Sequence, residues 1–325
     1  MPNRPPPLTV ALPTCNGEAH LREAFAGLLE QGKVGFDLIV SDDRSDDVTL
    51  VIARDLVGDR ARISVNSERL GLAGNWNRCV ELASTEWVAV FHQDDVMHPG
   101  HLAGHLAAIE GDREGRLGLV AGRVAMIDGE GRPVPAGVVD PGGLDLPGLA
   151  SFPPGDWSRF LSVSNPLRCS AVTIRKAAHE ALGGFDPSYR YAVDWEFWQR
   201  VARGWGLTWL GGSATVSMRW HPSSETHSFA TGTLDLDEQI RLLDAYPGPI
   251  DRTAADRRLA RAFLARAHVT LKAGEINLAR SCLRRSVQFS RGILGTIAAD
   301  PRLTVQMAAL AVAPNQAARW FGPRV

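Results

Sequence analysis

Residues 8–47 read LTVALPTCNGEAHLREAFAGLLEQGKVGFDLIVSDDRSDD, and their pattern decides the fold class. LTVALP is a short apolar run, Glu18 to Glu30 carries apolar residues at helical spacing, and FDLIVSDD is a second apolar run ending in acids. The stretch therefore reads strand, helix, strand. Two strands joined through a helix run parallel. The alternation continues to Asp128, with ARISVN, WVAVFHQDD and LGLVAGRVAMID as strands. Asp46–Val57, Leu72–Ala83 and Pro99–Ile109 are the intervening helices, with Asp46 and Pro99 as start signals. An α/β domain with a mostly parallel sheet is expected. Ligands of such sheets lie beyond the carboxyl ends of the strands. Three of those ends are polar: Thr14-Cys15-Asn16, Asp42-Asp43 and Gln93-Asp94-Asp95.

Beyond this region the pattern changes twice. Residues 129–155 are rich in Pro and Gly and read as an insertion, a crossing loop or a lid rather than a packed element. CSAVTIRK then reads as a strand, KAAHEALGGF as a short helix, AVDWEFWQRVARG as an amphipathic helix, and LTWLG and ATVSMRWH as strands. From Leu234 onward the chain is helical near 234–245, 251–273, 275–290 and 303–320. One stretch, FLARAHVTLKAGEINLARSCLRRSV, resembles a single tetratricopeptide-type hairpin, without the second copy an array needs. The expected division is residues 1–233 and a helical module, 234–325.

Composition narrows the class. The 325 residues hold 35 Lys+Arg against 36 Asp+Glu, with 45% hydrophobic content, which is ample for a core. Net charge −1 and the lack of a nucleic-acid motif exclude global attraction to a polyanion. Charge is uneven: residues 251–325 carry 13 basic and 4 acidic side chains, and residues 1–250 carry 22 and 32. Cys15, Cys79, Cys169 and Cys282 are scattered, which suits free thiols in a reducing compartment. No signal-peptide core is read at the start, and the apolar run Thr304–Ala313 is short of the ~20 residues a spanning helix needs. A cytoplasmic protein is expected. Its basic tail has three readings: a solvated surface, a protein contact, or a dock on the anionic inner face of a membrane.

Four stretches can carry chemistry. In FHQDDVMHPGHL, adjacent Asp94 and Asp95 leave a buried strand, and oxygen ligands there suit Mg²⁺ or Mn²⁺. The plainer reading is a turn with a helix cap. In VSDDRSDD, capping by Ser45 to Asp47 accounts for some acids but not all. PTCNGE is a strand-to-helix turn whose backbone amides can receive an anion. In LGGFDPSYRYAVDWEFW, Asp194 and Glu196 sit near a helix start beside tryptophans, where common helix-start acids and a base for a hydroxyl look alike.

Together, in order and spacing, these stretches resemble family 2 glycosyltransferases, inverting enzymes of GT-A fold that use nucleotide-diphosphate sugars. The likeness covers roughly residues 8–222. It implies a Rossmann-like mixed sheet flanked by helices, and it places Asp42 and Asp43 against nucleobase and ribose. It puts Pro13, Thr14, Cys15 and Asn16 in the first nucleotide loop. It also sets Arg69, Asn75 and Asp94 toward the nucleotide, and Asp95 on a divalent ion, Mn²⁺ or Mg²⁺, at the diphosphate. Asp194 aligns with the general base, and Trp195 and Glu196 fall on the acceptor or sugar side. His221 is implied near the diphosphate or metal, although a surface-loop histidine is its first reading. His92 stands where the family often has Asp, Cys15 where it often has an aromatic residue, and Val193 where it often has an acid. The other tryptophans, Trp87, Trp198, Trp205 and Trp209, read as core. The likeness further implies a saccharide or lipid-linked acceptor and a role in bacterial cell-envelope polysaccharide synthesis.

Two other classes stay in view. A sugar nucleotidylyltransferase shares such a sheet but carries a Gly-rich basic loop after the first strand, which PTCNGEAH is not. An inactive glycan-binding scaffold would not need Asp42, Asp43, Asp94, Asp95 and Asp194 together. No G-x-G-x-x-G follows the first strand, against a dinucleotide oxidoreductase.

Overall fold

The computed structural model describes residues 7–32, 34–135, 139, 142–222, 224–246 and 251–322. They form two compact units, Met1–Leu161 with Asn165–Ser224, and Ser162–Ser164 with Glu225–Val325.

In the first unit the elements run β1 (Thr9–Thr14), α1 (Leu21–Leu29), β2 (Asp37–Asp42), α2 (Thr49–Val57), β3 (Ala61–Val65), α3 (Gly71–Leu82), β4 (Trp87–Val90) and β5 (Val96–Met97). They continue as α4 (His101–Glu110), β6 (Leu117–Gly122), β7 (Val124–Ile127), β8 (Leu149–Phe152), β9 (Val172–Arg175), α5 (Lys176–Leu182), α6 (Val193–Gly204), β10 (Gly206–Leu210) and β11 (Val216–Arg219). Eight strands form one mixed sheet in the order β3-β2-β1-β4-β9-β6-β10-β8. β3, β2, β1 and β4 are parallel, as the βα rhythm dictates. β9 runs antiparallel to both β4 and β6. The sheet is covered on its faces, so every residue of β1, β4 and β6 is buried. α1 packs Leu21, Ala24, Phe25 and Leu28 inward at the spacing of one helix face.

Two expectations change. LGLVAGRVAMID is two strands rather than one, because β7 leaves the main sheet to pair with β11 in a small β5-β11-β7 sheet. Part of the expected loop 129–155 is packed structure. β8 pairs antiparallel with β10 at the edge, Leu144 is buried, and Arg123 Nη2 donates to the carbonyls of Leu144 and Leu146, each at 3.1 Å. Gly and Pro in the composition hid the strand. Residues 136–138, 140 and 141 of that call lie outside the described residues.

α4 turns two histidines into the core. His101 Nδ1 is 2.8 Å from Thr215 Oγ1, His105 Nδ1 is 2.8 Å from Thr173 Oγ1, and the rings lie 4.1 Å apart. Burial, with the charge of His98 second, lowers His101 to about 3; burial, with His101 second, takes His105 well below its ordinary value. Unfolded histidine titrates near 6.5. Between about pH 6.5 and 3 the unfolded chain therefore binds more protons, and stability falls as pH falls through that window. The expected loss is about 1.4 kcal/mol per pH unit for each ring. Thermal melts of His101→Gln with His105→Gln should show a flatter acid slope, and an unchanged slope would assign the acid sensitivity to other groups.

The second unit is helical: α7 (Glu225–Ser228), α8 (Leu234–Ala245), α9 (Arg252–Lys272), α10 (Ile276–Phe289), α11 (Ile293–Ala299), α12 (Pro301–Val312) and α13 (Pro314–Phe321). α9 and α10 form a hairpin turned at Gly274, whose φ of +84° suits glycine. Phe263 and Phe289 stack across it at 5.7 Å. Its core gathers Phe263, Leu264, Leu271, Cys282, Met307 and Leu310. The last expected helix, 303–320, is divided: Asp300 caps α12, Pro301 opens it, and Pro314 opens α13. Among the described residues no helix is long and apolar enough to cross a membrane.

Candidate functional site

Chain order in the main sheet reverses between β1 and β4, and a crevice opens beyond carboxyl ends at such a reversal. There the side chain of Gln93 grips the loop after β1. Cys15 N–H donates to Gln93 Oε1 and Gln93 Nε2 donates to Cys15 O, both at 3.0 Å. A Cβ at Gly17 would stand 2.1 Å from Gln93 Oε1, so glycine is required for that grip. The expectation that this turn offers amides to an anion is corrected. Asn16 N–H donates to Ser45 Oγ at 2.9 Å, Gly17 N–H to Thr49 Oγ1 at 2.7 Å and Glu18 N–H to Asp47 Oδ2 at 3.1 Å. The polar residues 45–49 consume these donors, leaving side chains and carbonyls of Pro13 to Asn16 for a ligand.

Asp42 and Asp43 also face the frame. Buried Asp42 accepts from Thr14 Oγ1 at 2.9 Å and from Ser45 Oγ at 2.6 Å. Asp43 accepts from Leu70 N–H at 2.7 Å and Gly71 N–H at 2.9 Å, capping α3, and from Asn66 Nδ2 at 2.9 Å. Asn75, expected toward the nucleotide, is buried: Ser41 Oγ donates to its Oδ1 at 2.8 Å, and its Nδ2 donates to Ser41 O at 2.9 Å. That call is corrected to a clamp between α3 and β2. Arg69 is half-exposed beside Asp46 at 3.6 Å and donates to Arg44 O at 3.2 Å.

Next to this loop the chain gathers acids. His92, Asp94 and Asp95 each bring one ligand atom within 4.8 Å of the others. Asp95 is buried; Ser170 Oγ donates to its Oδ2, and Arg219 N–H to its Oδ1 at 2.9 Å. Burial first and the charge of Asp94 second push Asp95 well above its ordinary value. Burial would raise Asp94 too, but the hydrogen bond from His221, 3.1 Å from Asp94 Oδ2, and the charges of His92 and His221 hold it low. Burial keeps His92 below the ordinary histidine range against the pull of Asp94. Its Nε2 is buried without a partner among the described residues. A neutral imidazole with an unused lone pair beside two carboxylates fits a divalent cation, and a mixed N/O set suits Mn²⁺ at least as well as oxygen-seeking Mg²⁺.

The cluster extends one reading and corrects another. His92 joins Asp94 and Asp95 as a third residue able to offer a ligand atom, and His221, expected near the diphosphate or metal, touches the cluster through Asp94. His221 stands behind Asp94, its side chain only 13% exposed, and so is not a surface-loop residue. Arg219, at the end of β11, is the organiser that sequence reasoning missed. Buried, it donates from Nε to Asp94 O at 2.9 Å and from Nη1 to Asp128 O at 3.1 Å, and it pairs with Glu23. A basic residue in the apolar strand VSMRW was its only sequence signal.

Asp194 opens α6 and is half-buried. Its Oδ2 accepts from Asn165 Nδ2 at 2.9 Å and its Oδ1 from Trp195 N–H at 2.7 Å. Burial, opposed next by the charge of Arg168, raises it to about 6. The segment Asn165–Ser170 thus holds Asp194 at one end and Asp95 at the other. Buried Cys169 between them has its thiol pushed up by burial and then by the charges of both carboxylates. Asn165 and Ser170 are further residues the sequence reading missed. Trp195 and Glu196, expected toward the acceptor, are each 3% exposed and face the core. Trp195 Nε1 donates to Leu161 O at 2.9 Å, and Glu196 pairs with Arg200 at 2.6 Å.

Arg200 Nη2 also donates to Gly184 O at 2.6 Å, joining α6 to the Gly-Gly turn. Gly184 has φ +74°, and a Cβ there would lie 2.5 Å from Asn77 Oδ1, which accepts from Phe185 N–H at 2.7 Å. Gly184→Ala should cost about 2–4 kcal/mol through strain and collision. A melting temperature equal to wild type would show that the turn can relax.

Residues 9–135 match the family model described as glycosyl transferase family 2. Over 101 residues the chain is 33% identical to the Campylobacter jejuni GalNAc(5)-diNAcBac-PP-undecaprenol beta-1,3-glucosyltransferase, covering 30% of this chain and 33% of that protein. The matches span 30%, 41% and 33% of three curated relatives' own lengths. In structure the chain is similar to S. aureus TarS 1-349 in complex with UDP-GlcNAc, with TM-score 0.58, 17% identity, and 96% of this chain and 89% of that one covered. It is also similar to the mannosyltransferase PcManGT from Pyrobaculum calidifontis in complex with GDP-Man and Mn²⁺, with TM-score 0.53, 17% identity, and coverage of 98% and 88%.

Proposed function

We propose, from the match of residues 9–135 to the glycosyl transferase family 2 model and a fold similar to that of TarS, that the chain moves a sugar from a nucleotide-diphosphate donor to a hydroxyl of a saccharide or lipid-linked acceptor, with inversion. The catalytic part is assigned to residues 1–233 and the helical module to 234–325, with the work done in the cytoplasm on a bacterial envelope glycan. The observation that carries this reading is the tie of Asp194 and Asp95 to opposite ends of Asn165–Ser170. One carboxylate lies in a cluster suited to a cation, and the other is held by neutral donors with its pKa raised to about 6.

In this reading the loop Pro13–Asn16, braced by Gln93, and the frame of Asp42, Asp43 and Asn75 shape the nucleotide end, with Arg69 at its rim. A divalent ion, Mn²⁺ or Mg²⁺, would be held by Asp95, Asp94 and His92 and would supply positive charge against the departing diphosphate. Asp194 takes the proton from the acceptor hydroxyl, oriented by Asn165 and Trp195 N–H. Presence of GDP-Man and Mn²⁺ in the PcManGT complex supports the donor class and the cation.

The test is release of nucleotide diphosphate from a panel of nucleotide sugars with Mn²⁺ and saccharide or lipid-linked acceptors. Metal-dependent release with a new glycosidic product of inverted configuration is expected. Pyrophosphate release would replace the reading with a nucleotidylyltransferase. Glycan binding without turnover across the panel would replace it with a scaffold.

A further inference from the structure

The helical unit contains a cleft of about 580 Å³ between α9 on one side and α11 with the start of α12 on the other. Its floor is apolar, from buried Leu264 and half-buried Leu303, and it is bridged where His268 Nδ1 meets Gln306 Oε1 at 2.8 Å. Its rim is cationic: Arg261, Lys272 and Arg302 line it, and among the described residues none of these side chains has an ion-pair partner. Other basic side chains in the unit are committed, Arg266 to Asp235 at 2.8 Å and Arg252 to Asp244 at 2.7 Å, while Arg284, Arg291 and Arg319, away from the cleft, have no such partner among the described residues. The one acid at the cleft, Asp300, already accepts from the N–H groups of Arg302 and Leu303, at 2.9 and 3.1 Å.

Flanking the cleft stand apolar side chains that are about half exposed. Val269 is 48% exposed one turn from Lys272, and Val305 is 56% exposed one turn from Arg302. Leu294 on α11 is also exposed. Three unpaired cations around an apolar-floored cleft demand an anion, and the exposed apolar rim demands a partner that is oily beside its charge. A soluble anion answers only the first demand.

We propose that this cleft seats the phosphate of an anionic lipid, with Arg261, Lys272 and Arg302 on the headgroup and Val269 and Val305 dipping into the acyl boundary. Phosphate pairs well with guanidinium, and each basic residue near an anionic bilayer strengthens attraction by roughly fivefold, screened by salt. The site belongs to the helical unit and does not rest on the transferase reading, so Asp194→Asn should leave lipid binding unchanged.

The test is co-sedimentation of the full chain with vesicles of phosphatidylcholine alone or mixed with phosphatidylglycerol. Retention is expected only on the mixed vesicles and should weaken with added NaCl. Arg261→Gln, Lys272→Gln and Arg302→Gln together should reduce it tenfold or more, and Val269→Ser with Val305→Ser severalfold. A control of equal charge change, Arg284→Gln, Arg291→Gln and Arg319→Gln, should stay within about threefold of wild type because these side chains lie outside the cleft lining; equal loss in both triples would reduce the cleft to bulk charge and overturn the proposal. It is overturned equally if the first triple variant, folded by circular dichroism, sediments like wild type. Binding of inorganic phosphate by calorimetry with no vesicle retention would overturn the lipid source.

Discussion

Asp194→Asn is expected to lower turnover about 10²- to 10⁴-fold, the usual worth of a positioned proton acceptor, while leaving donor affinity within a few-fold of wild type. The substitution is nearly isosteric. Its oxygen can still accept from Trp195 N–H, and Asn165 can rotate its amide to meet the new NH₂ group. The loss is then chemical rather than structural, and melting temperature should hold. Wild-type kcat/KM should also show an acid limb near pH 6. A general base works only deprotonated, and burial raises Asp194 to about 6, so activity that depends on it is expected to rise with pH through that value rather than through 4. Turnover of the variant at wild-type rate, or an acid limb near 4, would remove Asp194 from the role.

The second large effect is at Asp95. Asp95→Asn should abolish metal-dependent turnover, by about 10³-fold or more if charge stabilisation at the diphosphate is lost, and should sharply weaken the response to added Mn²⁺. The same change should raise the melting temperature of the metal-free protein. Two carboxylates sit side by side there, one fully buried, and an unpaired buried charge is costly. The amide removes that cost and keeps its bonds, because Ser170 can accept as well as donate and Arg219 N–H retains an oxygen. Chelation of wild type should mimic the loss of activity. A variant that is both inactive and less stable would mean Asp95 serves the fold first.

Much of this site was legible because a parallel sheet delivers ligands at strand ends. The acids closing β2 and following β4 advertised themselves by position alone. Misreadings came where neighbours in sequence were taken as neighbours in space. Asp194, Trp195 and Glu196 are consecutive, yet successive helical residues point about 100° apart; only the first looks outward, and the other two fill the core. The surface-loop reading of His221 failed for the opposite reason. Its partner Asp94 lies 127 residues away, and no local pattern marks such a contact. Asn165 and Ser170 were invisible on the same ground, and Arg219 left only the faint signal of a basic residue in an apolar strand. β8 was lost because turn-forming composition outweighed a four-residue strand at a sheet edge.

The reversed strand β9 has one more implication. Running against both neighbours, it begins at the rim where β4 and β6 finish. The stretch from β7 to β9, which includes β8, thus comes back to that rim, and its last part, Asn165–Ser170, meets both Asp194 and Asp95 there. A change of length ahead of Asn165 leaves both of those contacts in place, whereas one within Asn165–Ser170 disturbs them together.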